Sequence, residues 1–187
     1  GGADAFAGVG EVGLDLTGVD FGILLATDAA DATRQWTSVR ADADTVELVG
    51  ITGFTLTASA LDVAVNLAAG DGSVLDFVAQ GFDVATGTSS SITLDMDGQK
   101  GELIQATGNL TIDVFGFFQV EGGFAVNKST ETVTLNDVAA TQVDVELLSI
   151  GASGLSAFAG LNGGTAEAIG LDLDGVDFAL ALMSEKL

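Results

Sequence analysis

The chain has 187 residues, 48 % of them hydrophobic, with 26 glycines and no proline, cysteine, histidine or tyrosine. Its 27 acids against 5 bases give a formal charge of −22, which opposes nucleic-acid backbones and anionic lipid surfaces. Disulfides, thiolate metal sites and His- or Cys-based nucleophiles are excluded, while the apolar content argues for a packed chain rather than a disordered one.

Residues 1–8 read as a flexible, small-residue lead-in. Val12, Leu14 and Leu16 then alternate with Gly13 and Asp15, Thr17-Gly18 reads as a turn, and Val19, Phe21 and Ile23 resume the alternation. This is the pattern of a β-hairpin. Thr27 to Arg34 reads as a loop or one helical turn. From Trp36 to Leu67 strand patterns follow one another, with a turn at Thr52-Gly53 and a phase slip at Ser59-Ala60 that reads as another reversal. Gly70-Asp71-Gly72 is a turn, Val74–Val78 and Phe82–Val84 read as strands, and Thr86–Ser91 as a Ser/Thr/Gly loop.

Ile92, Leu94 and Met96 make a further strand, with a turn at Asp97-Gly98. Leu103-Ile104 reads as a short strand before Gly108. Asn109 to Phe118 holds the densest aromatic cluster and, apolar on both faces beyond Val114, is expected to be the thickest part of the core. A bulge is expected at Gly122-Gly123. Val133 and Leu135 precede a turn at Asn136-Asp137, and Val143, Val145, Leu147 and Ile150 close the series. Gly151 to Gly164 reads as a linker to a second hairpin around Asp174-Gly175. Strands of five to nine residues recur, and no long window shows a helical apolar period. The expectation is an all-β chain.

Few residues suggest chemistry. Ser89-Ser90-Ser91 has no nearby general base, and 27 carboxylates single out no glycosidase pair, so no enzymatic activity is expected. Calcium is the candidate cofactor. Asp95-Met96-Asp97-Gly98 and Asp172-Leu173-Asp174-Gly175-Val176-Asp177 place carboxylates two apart at a strand end, where a hard cation finds oxygen ligands. The competing reading is that these Asp residues are turn-formers and solvated strand faces. Thr17 in the place of Asp174 favours that reading.

The chain also repeats itself. Gly13-Leu14-Asp15-Leu16-Thr17-Gly18-Val19-Asp20-Phe21 returns as Gly170-Leu171-Asp172-Leu173-Asp174-Gly175-Val176-Asp177-Phe178, identical at eight of nine positions and offset by 157. Ala5-Phe6-Ala7-Gly8 returns as Ala157-Phe158-Ala159-Gly160 at an offset of 152, so about five residues are inserted between the two blocks. A fixed-period echo marks a repeat array. Residues 1–157 read as one unit and 158–187 as the opening hairpin of the next, within a longer protein. The alternative is a hairpin duplicated inside one closed domain. Leu14, Leu16 and Phe21, with Leu171, Leu173 and Phe178, are expected to be equivalent unit-stacking core positions. A β-solenoid or superhelical β-sheet, with Asp-Gly and Thr-Gly hairpins, accounts for the restart, since each unit leaves an edge for the next.

In its acidic, cysteine-free, β-rich and repeating style, and in these two matched blocks, the chain resembles the giant tandem-repeat surface and adhesin-like proteins of bacteria. The resemblance implies an extracellular or cell-surface stalk or filament whose partners are neighbouring copies of the repeat. Two other classes remain open. One is a hydrophobic-groove lipid-binding or lipid-transfer sheet, suggested by the rhythm from Leu48 to Leu67. The other is a carbohydrate- or surface-binding adhesin module, which the scarcity of Trp and Tyr disfavours.

Overall fold

The computed structural model describes residues 2–185. The strands are β1 (Ala3–Val9), β2 (Val12–Thr27), β3 (Gln35–Val49), β4 (Phe54–Leu67), β5 (Phe82–Ala85), β6 (Ser91–Leu94), β7 (Leu103–Val114), β8 (Phe118–Thr134), β9 (Gln142–Leu161) and β10 (Ile169–Glu185). Eight of them form one antiparallel sheet in the order β1-β2-β3-β4-β7-β8-β9-β10. The small β5-β6 hairpin, with a 3-10 turn at Gly98–Lys100, lies outside that order as a lid. The protein is all-β.

The large sheet is a simple meander, because each connection joins neighbouring antiparallel strands and only the lid interrupts the sequence. Its strands are far longer than the expected five to nine residues: β2 has 16, β9 has 20 and β10 has 17. The difference has one physical cause. Thr17-Gly18 and Asp174-Gly175 are not hairpin turns. Each sits inside a continuous strand as a bulge, with Gly18 at φ +64° and Gly175 at φ +65°. A left-handed glycine serves a tight turn or a bulge equally well, and here pairing with the neighbouring strand resumes beyond each glycine after a register shift. The phase slip at Ser59-Ala60 is likewise a bulge in β4, with Ala60 at φ +50°, and not a reversal.

Other expectations change as well. Residues 3–9 are β1 rather than a lead-in, joined to β2 by a two-residue turn at Gly10-Glu11. Leu103-Ile104 and Asn109–Val114 belong to one strand that passes through Gly108. The expected linker 151–164 is largely the second half of β9, which crosses position 157 without a break. Val74–Val78 forms no strand, and its Leu75 and Phe77 pack with Leu94 of β6 and Met96. The irregularity at Gly122-Gly123 does occur, where β8 pairs with β9.

The core lies under the lid. Ala64, Phe77, Leu94, Met96 and Leu103 are buried together, with Leu24, Leu75 and Val84 packed against them. The expected core at Asn109–Phe118 is instead a strand ending in a turn, and Phe115 and Phe117 are exposed at 64 % and 56 %. Polar groups fasten the lid to the sheet. The buried Ser38 hydroxyl donates to Asn66 Oδ1 (2.8 Å), and Asn66 Nδ2 donates to the Leu75 carbonyl (2.8 Å). Trp36 Nε1 donates to the Ser73 carbonyl (3.0 Å), while Arg34 stacks over the Trp36 ring and pairs with Asp28 and Asp71. Arg40 bridges Asp62 on the sheet and Asp95 beside the lid.

Gly22 marks the closest approach of lid and sheet. A Cβ there would overlap Ile92 Cγ2 and Val84. Gly22→Ala is expected to push the β5-β6 hairpin off β2 at a cost of about 1–3 kcal/mol, measured as a lower melting temperature and faster amide exchange in residues 82–94.

Candidate functional site: an apolar face and two matched edge hairpins

Residues paired across an antiparallel sheet share a face, so the register shows what each face carries. One row crosses seven strands as Phe21–Ala41–Val63–Ala106–Val126–Ile150–Leu180, apolar throughout. The next row on that face is Ile23–Val39–Val65–Ile104–Lys128–Leu148–Leu182, with Lys128 its one polar residue. Beyond the bulges the uninterrupted strand β7 continues the same face into Leu110 and Ile112, opposite Ala58 and Leu56. The bulges in β2, β4 and β10 are what keep it apolar: without them the alternation would change sides midway along each strand.

The opposite face is polar, with rows such as Gly22–Arg40–Ala64–Gln105–Asn127–Ser149–Ala181, and the lid covers part of it. The apolar face has no cover among the described residues. Phe21 is 59 % exposed, Leu171 63 % and Phe178 48 %. Seven inter-strand gaps of ~4.8 Å and about 50 Å of strand give this face an extent on the order of 1,500 Å². Exposed apolar patches on monomers are usually limited to about 300–600 Å².

The sequence echo has a structural meaning at the two edges. In the first hairpin Gly8 pairs with Gly13, Ala7 with Leu14, Phe6 with Asp15 and Ala5 with Leu16. In the last, Gly160 pairs with Gly170, Ala159 with Leu171, Phe158 with Asp172 and Ala157 with Leu173. Both then shift register at the same point, Leu16/Val19 against Ala5/Ala3 and Leu173/Val176 against Ala157/Leu155. In each hairpin the two glycines face each other too closely for a Cβ, and the Phe6 or Phe158 ring lies beside them. An aromatic ring placed against a glycine restores side-chain contact that the glycine lacks. The extra five residues fall in the turn, which grows from Gly10-Glu11 to residues 162–168. β9-β10 is therefore β1-β2 rebuilt at the opposite edge of one sheet.

All six of the residues expected to be equivalent stacking positions sit on strands β2 and β10, and Leu14 with Leu171 and Leu16 with Leu173 occupy matching register positions. They are not buried: only Leu16 is even half-buried. Face-by-face, the echo is selective. Apolar-face positions keep their character, with Ile23 and Leu25 answered by Leu180 and Leu182. Lid-face positions do not, as Gly22, Leu24 and Ala26 are answered by Ala179, Ala181 and Met183.

The aspartates considered for calcium are spread over two regions. Asp95 pairs with Arg40 (3.4 Å), and Asp97 accepts from the Gln99 N–H (2.9 Å), capping the 3-10 turn. Asp174 accepts from the Ser156 hydroxyl (3.1 Å) and Asp177 from the Gly154 N–H (2.7 Å). Asp172 lines a shallow groove of ≈ 540 Å³ with Asp113, Glu121 and Phe158. Among the described residues no group of three or more potential ligands is arranged to hold a metal ion.

Acidic side chains also stack across the polar face as Asp20–Asp42–Asp62. Desolvation, reinforced by the Asp20 and Asp62 carboxylates, raises the Asp42 pKa from its ordinary 3.8. A raised carboxyl pKa means that the folded state holds the proton more tightly than the unfolded chain. Ionised Asp42 therefore destabilises the fold above that pH. Asp42→Asn is expected to melt higher than the parent at neutral pH, with the gap narrowing as pH falls through the raised value and gone below pH 3.8. Asp28, Asp31, Asp71, Asp113 and Asp137 have the opposite sign. Hydrogen bonds lower their pKa values, so their stabilisation is lost as pH falls below 3.8 through their lowered folded values.

No helix among the described residues is long and apolar enough to cross a membrane, which leaves β-strand crossing unaddressed. No protein-family model matches the chain, and neither a curated protein nor a solved structure matches it.

Proposed function

We propose that this chain is a non-catalytic structural repeat, built to extend one antiparallel sheet from unit to unit into a stalk or filament. The observation that carries the reading is the rebuilt edge hairpin. A sheet whose last two strands copy its first two, in register and bulge, has the form of a unit followed by the opening of its successor. The apolar face supports lateral stacking of neighbouring units or subunits, since its extent exceeds the roughly 800 Å² per partner that a stable interface of standard size buries. The acidic lid face would stay in solvent, which suits the extracellular setting implied by the resemblance to bacterial surface repeats. Calcium at the acidic turns remains a subsidiary proposal, tested by the melting temperature with and without a chelator.

Each unit contributes six strands to the large sheet before the hairpin recurs: β1, β2, β3, β4, β7 and β8. At ~4.8 Å per strand the rise is about 29 Å per unit. Electron microscopy of the native full-length or self-assembled protein is expected to show rods with that axial spacing. Compact separate particles without it would overturn the reading.

The same apolar face favours a second reading, in which it carries acyl chains as a lipid-binding sheet. Mass spectrometry of the purified protein decides it: co-purifying lipid supports a carrier, and a clean spectrum with rods present supports the repeat.

A further inference from the structure

Resting on the repeat reading, we infer that the open edge of β10 is a strand-acceptor site for a further copy of the repeat, which docks its β3-type strand (residues 35–49) antiparallel in one defined register. β10 reproduces β2 in sequence, in its pairing with the preceding strand and in its bulge. β2 is covered on its other side by β3. β10 has no neighbour there among the described residues. The matched edge therefore specifies its own missing partner.

The register transfers position by position. Gly13, Leu16, Phe21 and Ile23 pair with Val49, Val46, Ala41 and Val39. Shifted by the 157-residue offset, Gly170, Leu173, Phe178 and Leu180 take those partners on the incoming strand. Docked this way, the new strand continues the apolar face, since Val39 would extend the row that ends at Leu180 and Ala41 the neighbouring position at Phe178, with Thr37 falling opposite Leu182. A one-residue slip would turn those side chains to the polar face. Charge sets the conditions. Asp15 lies opposite Glu47 and Asp20 opposite Asp42 within the chain, so Asp172 and Asp177 would meet the same two acids. Like charges directly opposite oppose pairing, and salt screens them.

The absence of cysteine makes a clean test possible. The full chain carrying Phe178→Cys is mixed with synthetic peptides of residues 35–49 carrying Ala41→Cys, Arg40→Cys or Val39→Cys, and disulfide formation is followed. The Ala41→Cys peptide is expected to cross-link at least about ten-fold faster than the other two, faster still in high salt, because a disulfide needs Cα atoms within about 7 Å and Cβ vectors that face each other, and Val39→Cys fails the first condition and Arg40→Cys the second. In the Leu180→Cys chain, which also guards against a fold defect at position 178, the preference is expected to move to Val39→Cys. Equal rates for all three peptides, no cross-link, or a preference that stays put when the chain cysteine moves would overturn the inference. Its fate is separable from that of the array. Rods with the 29 Å spacing but no register preference would sink this site alone, whereas the register preference without rods would sink the array and leave the strand acceptor standing.

Discussion

Leu94→Ala is expected to destabilise the lid by about 2–5 kcal/mol, the largest effect of any single truncation here. Leu94 is fully buried and sits in a cluster of only five buried apolar residues. With so few members, the cluster has little capacity to close around a cavity. Trp36, the single tryptophan, reports on the result, because its indole N–H is bonded to Ser73 on the segment leading into the lid. The lid hairpin packs on β2 and β3, and only its 3-10 turn reaches as far as β8. The Trp36 fluorescence transition should therefore move to lower temperature than the far-UV transition of the strands. A single coincident shift would show that lid and sheet unfold as one unit.

Phe21→Asp should act in the opposite way, sparing the isolated chain and disabling the assembly. Phe21 is 59 % exposed on the uncovered apolar face, so its replacement should change the melting temperature of the separate chain by no more than an exposed surface substitution does, about ±0.5 kcal/mol. Stacking is another matter. Burial of a phenylalanine is worth roughly 1.5–3 kcal/mol, so its loss weakens each contact about ten- to hundred-fold. Rods seen by microscopy should shorten or disappear while the circular dichroism of the subunit is unchanged. Phe178→Asp, at the matching position, should do the same. If either variant unfolds the chain and leaves assembly of the remainder intact, the face is not a stacking surface.

Much of the fold was readable in the residues. Alternation of Val12, Leu14 and Leu16, of Val63 and Val65, and of Val143 and Val145 placed strands where strands lie, because a half-buried strand shows one side chain in two to each face. The Gly70–Gly72 turn, the β5 and β6 segments and the irregularity at Gly122-Gly123 were visible for equally local reasons. The echo of Gly13–Phe21 at Gly170–Phe178 needed no structure, and the five extra residues were countable before their place in a turn was known. The two-residue turn at Gly10-Glu11 also had a signal, a glycine between Val9 and Val12, but the residues before it looked too small for a strand.

Other features depended on what lay alongside. Gly18 and Gly175 have the same backbone form that a hairpin turn would use, and only the resumed pairing with a neighbouring strand decides that the chain continues through them. Asn109–Phe118 looked like a core because apolar residues crowd it, yet its aromatics lie at and beyond a strand end, where burial depends on a covering layer that this sheet lacks. The six candidate stacking residues were found by repetition, but their sharing of one face follows from bulges that reset the phase of each strand. Alternation and identity are local properties, so the residues alone show that the protein is made of strands and that its beginning recurs near its end. That the recurring parts stand at opposite edges of a single sheet in the same register follows from strand order and pairing, which are set by contacts between residues distant in the chain.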